Sequence, residues 1–127
     1  MSYSISRTVS LPFVEAINRV KKLLAAAGFG ILTEIDVQAT VKKKLDKDFI
    51  PYVILGACNP PFAYEALMTE IEIGLMMPCN VIVYEKNGAV HVASVRPALA
   101  MKATGNSKLA PLAAMVEEEL KRVIDAV

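Results

Sequence analysis

The chain has 127 residues with 14 basic and 13 acidic side chains, so its formal net charge is only +1. This balance supplies no broad electric field for nucleic acid or anionic lipid, and we expect neither as a partner. The length fits one domain, which we predict to span residues 1–127. The composition is 54% hydrophobic, which is high for a domain of this size and predicts apolar surface outside a monomer. We therefore expect a homodimer, the commonest symmetric assembly.

The longest uncharged run, residues 49–64, is too short and too interrupted by proline to predict a membrane span. The N-terminal residues show neither a charged segment followed by an apolar one nor a small-residue cleavage site. We therefore expect a cytoplasmic protein. The one basic cluster is the lysine run at residues 42–44. A solvated face of a short helix that buries Val41 and Leu45 explains this run more simply than a phosphate site does.

In chain order, the N-terminal part predicts a strand, a long helix and a second strand. Alternating side chains from Ile5 to Val9 predict the first strand. Ser10 is placed to cap the helix that follows, whose apolar side chains recur at three- and four-residue steps. Gly28 is placed to end this helix in the left-handed conformation. Alternation resumes over residues 31–37 and predicts the second strand, which a short helix around residues 38–45 follows.

The second half of the chain predicts a buried strand, a short helix, a hairpin and a long helix. Residues 50–57 are apolar on both alternating faces, which predicts a strand inside the sheet and covered on both sides. Asn59 before two prolines predicts a helix start. Asn87-Gly88 between two β-rich runs favours a two-residue type I′ turn. The last helix begins at residue 106 or 107 and carries a nearly unbroken apolar stripe.

This order of elements is not a regular alternation of strands and helices. We predict an α+β fold in which a mainly antiparallel sheet of about five strands carries both long helices on one face, plus short helices. No phosphate loop, dinucleotide fingerprint, zinc-protease pair or nucleophile elbow occurs, which weighs against common hydrolases and kinases. The single histidine, His91, is predicted to face Tyr84 across the hairpin as an ordinary structural pair.

The two cysteines are the strongest candidates for chemistry. The hairpin register places Cys79 beside Arg96, whose guanidinium would favour a thiolate. Cys58 lies just before the helix start at Asn59, where the helix dipole would also favour an anion. Because consecutive strands are usually neighbours, we expect both sulfurs to share one site, at which a soft ion such as zinc or copper(I) could bind. The alternative is that both cysteines are small packing residues.

Three segments of the chain together resemble a known family. They are Gly28–Val37 (GFGILTEIDV), Gly56–Pro60 (GACNP) and Leu75–Val81 (LMMPCNV). In this order they closely resemble the domain of unknown function 302 family of bacteria and archaea, over nearly the whole chain. The resemblance implies a small dimeric α+β domain whose biochemical role is unassigned. It also implies a structural and ligand-site role for Asn59, Pro60 and Pro78.

Two functions remain open at this point. The first is a non-catalytic dimeric module that binds a small ligand, an anion or a metal, and we prefer it because no base or resolving group is evident. Its candidate binding residues are Cys58, Asn59, Pro60, Cys79, Asn80 and Arg96, with Cys58 and Cys79 as the candidate metal ligands. The alternative is a thiol-dependent enzyme or a sulfur or redox carrier that uses Cys58 or Cys79 as nucleophile. The residues indicate no particular cofactor.

Overall fold

The computed structural model describes residues 2–127, which form one five-stranded antiparallel sheet with helices. The strands are Ser4–Val9 (β1), Gly30–Asp36 (β2), Tyr52–Cys58 (β3), Cys79–Lys86 (β4) and Ala89–Val95 (β5). The α-helices are Phe13–Ala26 (α1), Val37–Leu45 (α2), Pro60–Thr69 (α3), Pro97–Lys102 (α4) and Ala110–Ala126 (α5), and the 3-10 segments are Ile71–Met76 and Ser107–Leu109. The strand order across the sheet is β1-β5-β4-β3-β2. The predicted α+β class is confirmed.

The hairpin between β4 and β5 forms at the predicted turn. Asn87 and Gly88 both have positive φ, at 54° and 77°, as a type I′ turn requires. The turn sets the register that places Tyr84 opposite His91. The two rings stack with centroids 4.9 Å apart, and His91 Nδ1 lies 3.0 Å from the Thr8 hydroxyl. These contacts fit the structural role that the sequence predicts for His91.

The two long helices pack on one face of the sheet, as predicted. Residues that alternate along β3, β4 and β5 face them, including Leu55, Val83 and Val92, which are fully buried. The side chains that pack against them from the helices are Val20 and Leu24 of α1 and Leu120 and Ile124 of α5. Each buried side chain of this size contributes about 1.5–3 kcal/mol relative to an exposed one. The helix layer therefore accounts for the main core.

The opposite face of the sheet, here called the open face, is less covered than predicted. It carries the alternate side chains of the strands, such as Tyr52 and Ile54 of β3. Val53 and Leu55 are buried under the helices, whereas Tyr52 and Ile54 are only half-buried. The prediction that this strand is covered on both sides is wrong, because the helices of the main core all lie on the other face.

Two local predictions about helices are also wrong. Pro12, and not Ser10, occupies the position before α1, where its carbonyl accepts a hydrogen bond from Ala16 and no side chain caps the helix. Helix α2 buries no residue, and Leu45 is 64% exposed. The lysines of α2 lie at its solvated end, where Lys42 forms ion pairs with two aspartates.

The predicted end of α1 is confirmed, because Gly28 closes this helix with φ of 88°.

None of the helices within residues 2–127 has both the length and the apolar content that a bilayer crossing requires.

Candidate functional site

The two cysteines lie together at one end of the central strands. Cys58 ends β3, and Cys79 begins β4 directly opposite Ala57, so the antiparallel pairing sets the two cysteines at diagonal positions on neighbouring strands. The chain between them leaves the sheet as α3 and a 3-10 segment and returns through Pro78. The sequence predicts this excursion of residues 59–78 out of the sheet and back. Because the chain returns beside the strand that it left, both cysteines line the same cavity.

The cavity is narrow and its walls are apolar. Its volume is about 30 Å³, and its walls come from the ends of β3 and β4, from the inner side of α3, and from α4 and α5. Besides the cysteines, its walls include Phe29, Phe62, Ala66, Leu112, Ala113 and Val116. None of the fourteen described lining residues carries a charge, and Asn59 supplies the one amide side chain. Such a cavity does not suit a free anion, because nothing in its walls balances the anion's charge.

Sulfur is the heteroatom that these walls offer most. Met77, just before Pro78, and Met101, on α4, line the cavity together with Cys58 and Cys79. We call these four residues the sulfur cluster. Met77, Cys79 and Met101 also line a second depression of about 230 Å³, whose rim includes the half-exposed Met76. Three of the four members of the cluster therefore line both cavities, and Cys58 lines the first one only.

Both thiols hold their protons more tightly than an ordinary cysteine. Burial raises the pKa of the Cys79 thiol from 9.0 to about 11, and the neighbouring Cys58 adds to this rise. Burial also raises the pKa of Cys58. The prediction that a helix start and a guanidinium favour thiolates is therefore wrong for both residues. Helix α3 begins with Pro60 and Pro61, which have no N–H to offer, so its N-terminus is a weak anion site.

Arg96 does not line the cavity of the two cysteines. It follows the end of β5, and extending the β4–β5 register by two residues would set it opposite Cys79. Its Nε donates to Glu117 Oε2 at 3.3 Å, and its guanidinium also donates to the Ser2 carbonyl at 3.2 Å. Glu117 also accepts a hydrogen bond from the backbone N–H of Ala98, at the start of α4. Arg96 is thus bound in a structural network that joins the N-terminus, α4 and α5.

The remaining predicted site residues divide between two surfaces. Asn59 lines the cavity, whereas Pro60 is exposed at the start of α3 and lies outside its walls. Asn80 is opposite Gly56 on the open face and contributes to the second depression only. Of the six predicted binding residues, the structure therefore brings Cys58, Asn59 and Cys79 together in the cavity.

The sequence reasoning missed the two methionines. Met77 is adjacent to the Pro78-Cys79 segment, so its position beside a candidate cysteine was a usable signal. Met101 lies far along the chain and reaches the cavity only because α4 packs against α5 and the excursion. Within residues 2–127, no group of three or more His, Cys, Asp or Glu residues could hold a metal ion. In this cavity the side chains that could bind a metal together with Cys58 and Cys79 are the thioethers of Met77 and Met101.

The comparisons with known proteins agree with this fold. The family model of the domain of unknown function DUF302 matches residues 5–127. The crystal structure of an uncharacterized conserved protein DUF302 from Bacillus stearothermophilus superimposes with a TM-score of 0.93 at 29% sequence identity, covering 98% of both chains. No curated protein matches the chain. The resemblance noted in the sequence is thus confirmed, and the chain belongs to the DUF302 family.

Proposed function

We propose that this domain is a metal-binding module that takes one copper(I) ion at the sulfur cluster. The observation that carries the proposal is that two cysteines and two methionines are among the residues that line a single cavity of about 30 Å³, none of which is charged. Thiolates and thioethers are the ligands that copper(I) prefers. Each cysteine that binds the ion gives up its thiol proton, so binding through both cysteines releases two protons.

The ligand types favour copper(I) over zinc. Zinc sites in proteins use cysteine, histidine and carboxylate ligands, usually four of them. Here Cys58 and Cys79 are the two ligands of that kind, while His91 lies on the open face and is engaged with Thr8. Methionine thioethers complete a set for copper(I) but not for zinc. Of the two soft ions that the cysteines alone would accept, copper(I) therefore fits this set of side chains better than zinc does.

The cavity that both cysteines line has the size of an ion and not of an organic ligand, whereas the depression of about 230 Å³ beside it is lined by Cys79 but not by Cys58. A volume of about 30 Å³ is only about two to three times what one water molecule needs, and a benzene-sized ligand occupies engineered cavities of about 150 Å³. The thiol-enzyme alternative is weakened by the position of His91, which lies on the open face and contacts Thr8, so that neither cysteine has a histidine base beside it. A nucleophilic cysteine needs a thiolate or an adjacent base.

The test is an anaerobic titration of the reduced protein with copper(I), in competition with a chromogenic copper(I) chelator. We expect one ion per chain, and we expect Cys58→Ser or Cys79→Ser to weaken binding by at least about 100-fold. Met101→Leu preserves the volume but removes the thioether, and we expect about a tenfold loss. A parallel titration with zinc should give much weaker binding.

The matched control is Met115→Leu, because Met115 lies on α5 with 55% of its surface exposed and outside the cavity. This variant should bind copper(I) as the wild type does. Equal affinity in the Met101 and Met115 variants would show that the thioether is not a ligand. Failure of the wild type to compete with the chelator, or a preference for zinc, would refute copper(I) binding.

A further inference from the structure

An exposed apolar surface adjoins the sulfur cluster. This surface, here called the α3 patch, lies on α3 and on the 3-10 segment that follows it, and these two elements contact each other. It consists of Tyr64, Met68, Ile71 and Leu75, each more than two-thirds exposed. Large apolar side chains that a soluble domain keeps together in water usually mark a contact site.

The α3 patch reaches the second depression beside the cysteines. Leu75 belongs to the patch and also lines this depression, and Cys79 and Met101 line it further in the chain. The volume of about 230 Å³ is below the roughly 300 Å³ at which pockets for drug-sized ligands begin. It exceeds the roughly 150 Å³ of a cavity that holds benzene. The depression therefore suits a side chain of a docked protein better than a free organic molecule.

The charges beside the patch are acidic and unpaired. Glu65 and Glu72 are exposed, and no basic residue occurs between residues 49 and 85. Two elements packed against this region, α4 and the 3-10 segment Ser107–Leu109, carry Lys102 and Lys108. Within residues 2–127, neither Glu65 nor Glu72 forms an ion pair. Both carboxylates can therefore pair with cations of another molecule.

The combination of apolar side chains and unpaired carboxylates selects the occupant of the patch. An anionic membrane surface is disfavoured, because lipid phosphates attract basic groups and repel acidic ones. A second copy of the patch would set like charges against each other. A protein segment whose apolar side chains are flanked by lysine or arginine matches both features of the patch. The partner that fits is therefore a basic amphipathic segment.

We propose that the α3 patch docks a basic segment of a partner protein that exchanges copper(I) with the sulfur cluster through the depression. The cargo rests on the proposed function, whereas the docking rests on the patch. In the exchange, Cys79 loses its thiol proton as its sulfur binds the ion, and the partner thiolate that releases the ion takes up a proton. The ion stays copper(I), so the exchange needs neither an oxidant nor a reductant.

The docking test uses the metal-free protein and two dye-labelled peptides of equal length. Both carry a Cys-X-X-Cys pair and leucines at helical spacing, with lysines on the opposite face of one and glutamates on that of the other. By fluorescence anisotropy, we expect the lysine peptide to bind at least about tenfold more tightly. Leu75→Ser removes the most exposed side chain of the patch and should weaken this binding by about tenfold. Glu65→Gln combined with Glu72→Gln should abolish the preference for the lysine peptide.

The matched controls are Leu45→Ser and Glu15→Gln. Leu45 is 64% exposed on α2, and Glu15 is exposed on α1, so both lie on helices outside the patch. Each control should bind the lysine peptide as the wild type does. Equal binding of the two peptides by the wild type, or an equal loss in Leu45→Ser and Leu75→Ser, would overturn docking at the patch.

The exchange test loads the lysine peptide with copper(I), separates peptide from protein at timed intervals and measures copper in each. At low salt, the double glutamine variant should take up copper(I) at least about tenfold more slowly than the wild type. Its copper(I) affinity in the chelator competition should be unchanged. Equal uptake rates would overturn the role of the patch in exchange. A wild type that binds the lysine peptide but no copper(I) would overturn the cargo together with the proposed function, while the docking result would stand.

Discussion

Gly56 is the position at which the sheet and the cysteine segments are packed most closely. It lies on the open face of β3, two residues before Cys58, and pairs with Asn80. A β-carbon at this position would lie 2.1 Å from Thr33 Oγ1 and 2.7 Å from Pro78 Cγ. Both distances are far shorter than an ordinary van der Waals contact of about 3.5–4.0 Å. Gly56→Ala therefore forces the neighbouring strand, the proline or both to move.

We expect Gly56→Ala to lower the free energy of unfolding by about 1–3 kcal/mol, which is the usual cost of inserting a methyl group into a packed site. Thr33 is exposed and can rotate its hydroxyl away, so it relieves part of the contact, whereas the ring of Pro78 is stiff. Removing the hydroxyl with Thr33→Ala should therefore make the same glycine substitution less costly. We expect a favourable coupling of at least about 0.5 kcal/mol between the two changes.

The measurement is urea unfolding of wild type, both single variants and the double variant, at one protein concentration because a dimer would make stability concentration-dependent. Gly74→Ala is the matched control, since no atom lies within 4 Å of its added β-carbon. That control should be neutral or slightly stabilising, by up to about 1 kcal/mol. A Gly56→Ala protein as stable as the control would refute the close-packing argument. Additive energies in the double variant would refute the contact with Thr33.

Three further predictions follow from individual groups. The folded protein keeps the Cys79 proton up to a pH of about 11, whereas the unfolded chain loses it near pH 9.0. The free energy of unfolding should therefore fall by about 2 kcal/mol as the pH rises from 9.0 to about 11. In urea titrations across this range, Cys79→Ser should show a smaller fall. Gly88→Val should cost about 1–2 kcal/mol in thermal unfolding, since φ is 77° and no neighbouring atom obstructs the side chain; an unchanged melting temperature would contradict the turn assignment. Glu117→Ala should lower the free energy of unfolding by about 1–3 kcal/mol, because Arg96 and the Ala98 N–H lose their acceptor. The copper(I) affinity of this variant should equal that of the wild type. A large loss of copper(I) affinity would place Arg96 in the metal site.

Several features of this protein could be predicted because short segments determine them. The positive φ angles at Asn87 and Gly88 follow from the residue types, and the turn then fixes which side chains of β4 and β5 are opposite each other. The apolar stripe of α5 likewise identifies its buried face. Cys58 and Cys79 could be placed together because the chain leaves the sheet after one strand and returns in the next.

Other features depend on packing between distant parts of the chain. The apolar pattern of β3 is the same whether its second face meets a helix or a second molecule, so the sequence could not distinguish these cases. Arg96 has a long side chain, and the position of Glu117 on α5 decided where its guanidinium bonds. Met101 reaches the cavity only through the packing of α4 on α5. The sequence by itself determined the strands, the hairpin register and the approach of the two cysteines, because these follow from local periodicity and turn geometry. The tertiary structure decided the direction of the thiol pKa values and the membership of the sulfur cluster, because both depend on which distant side chains exclude water from the site.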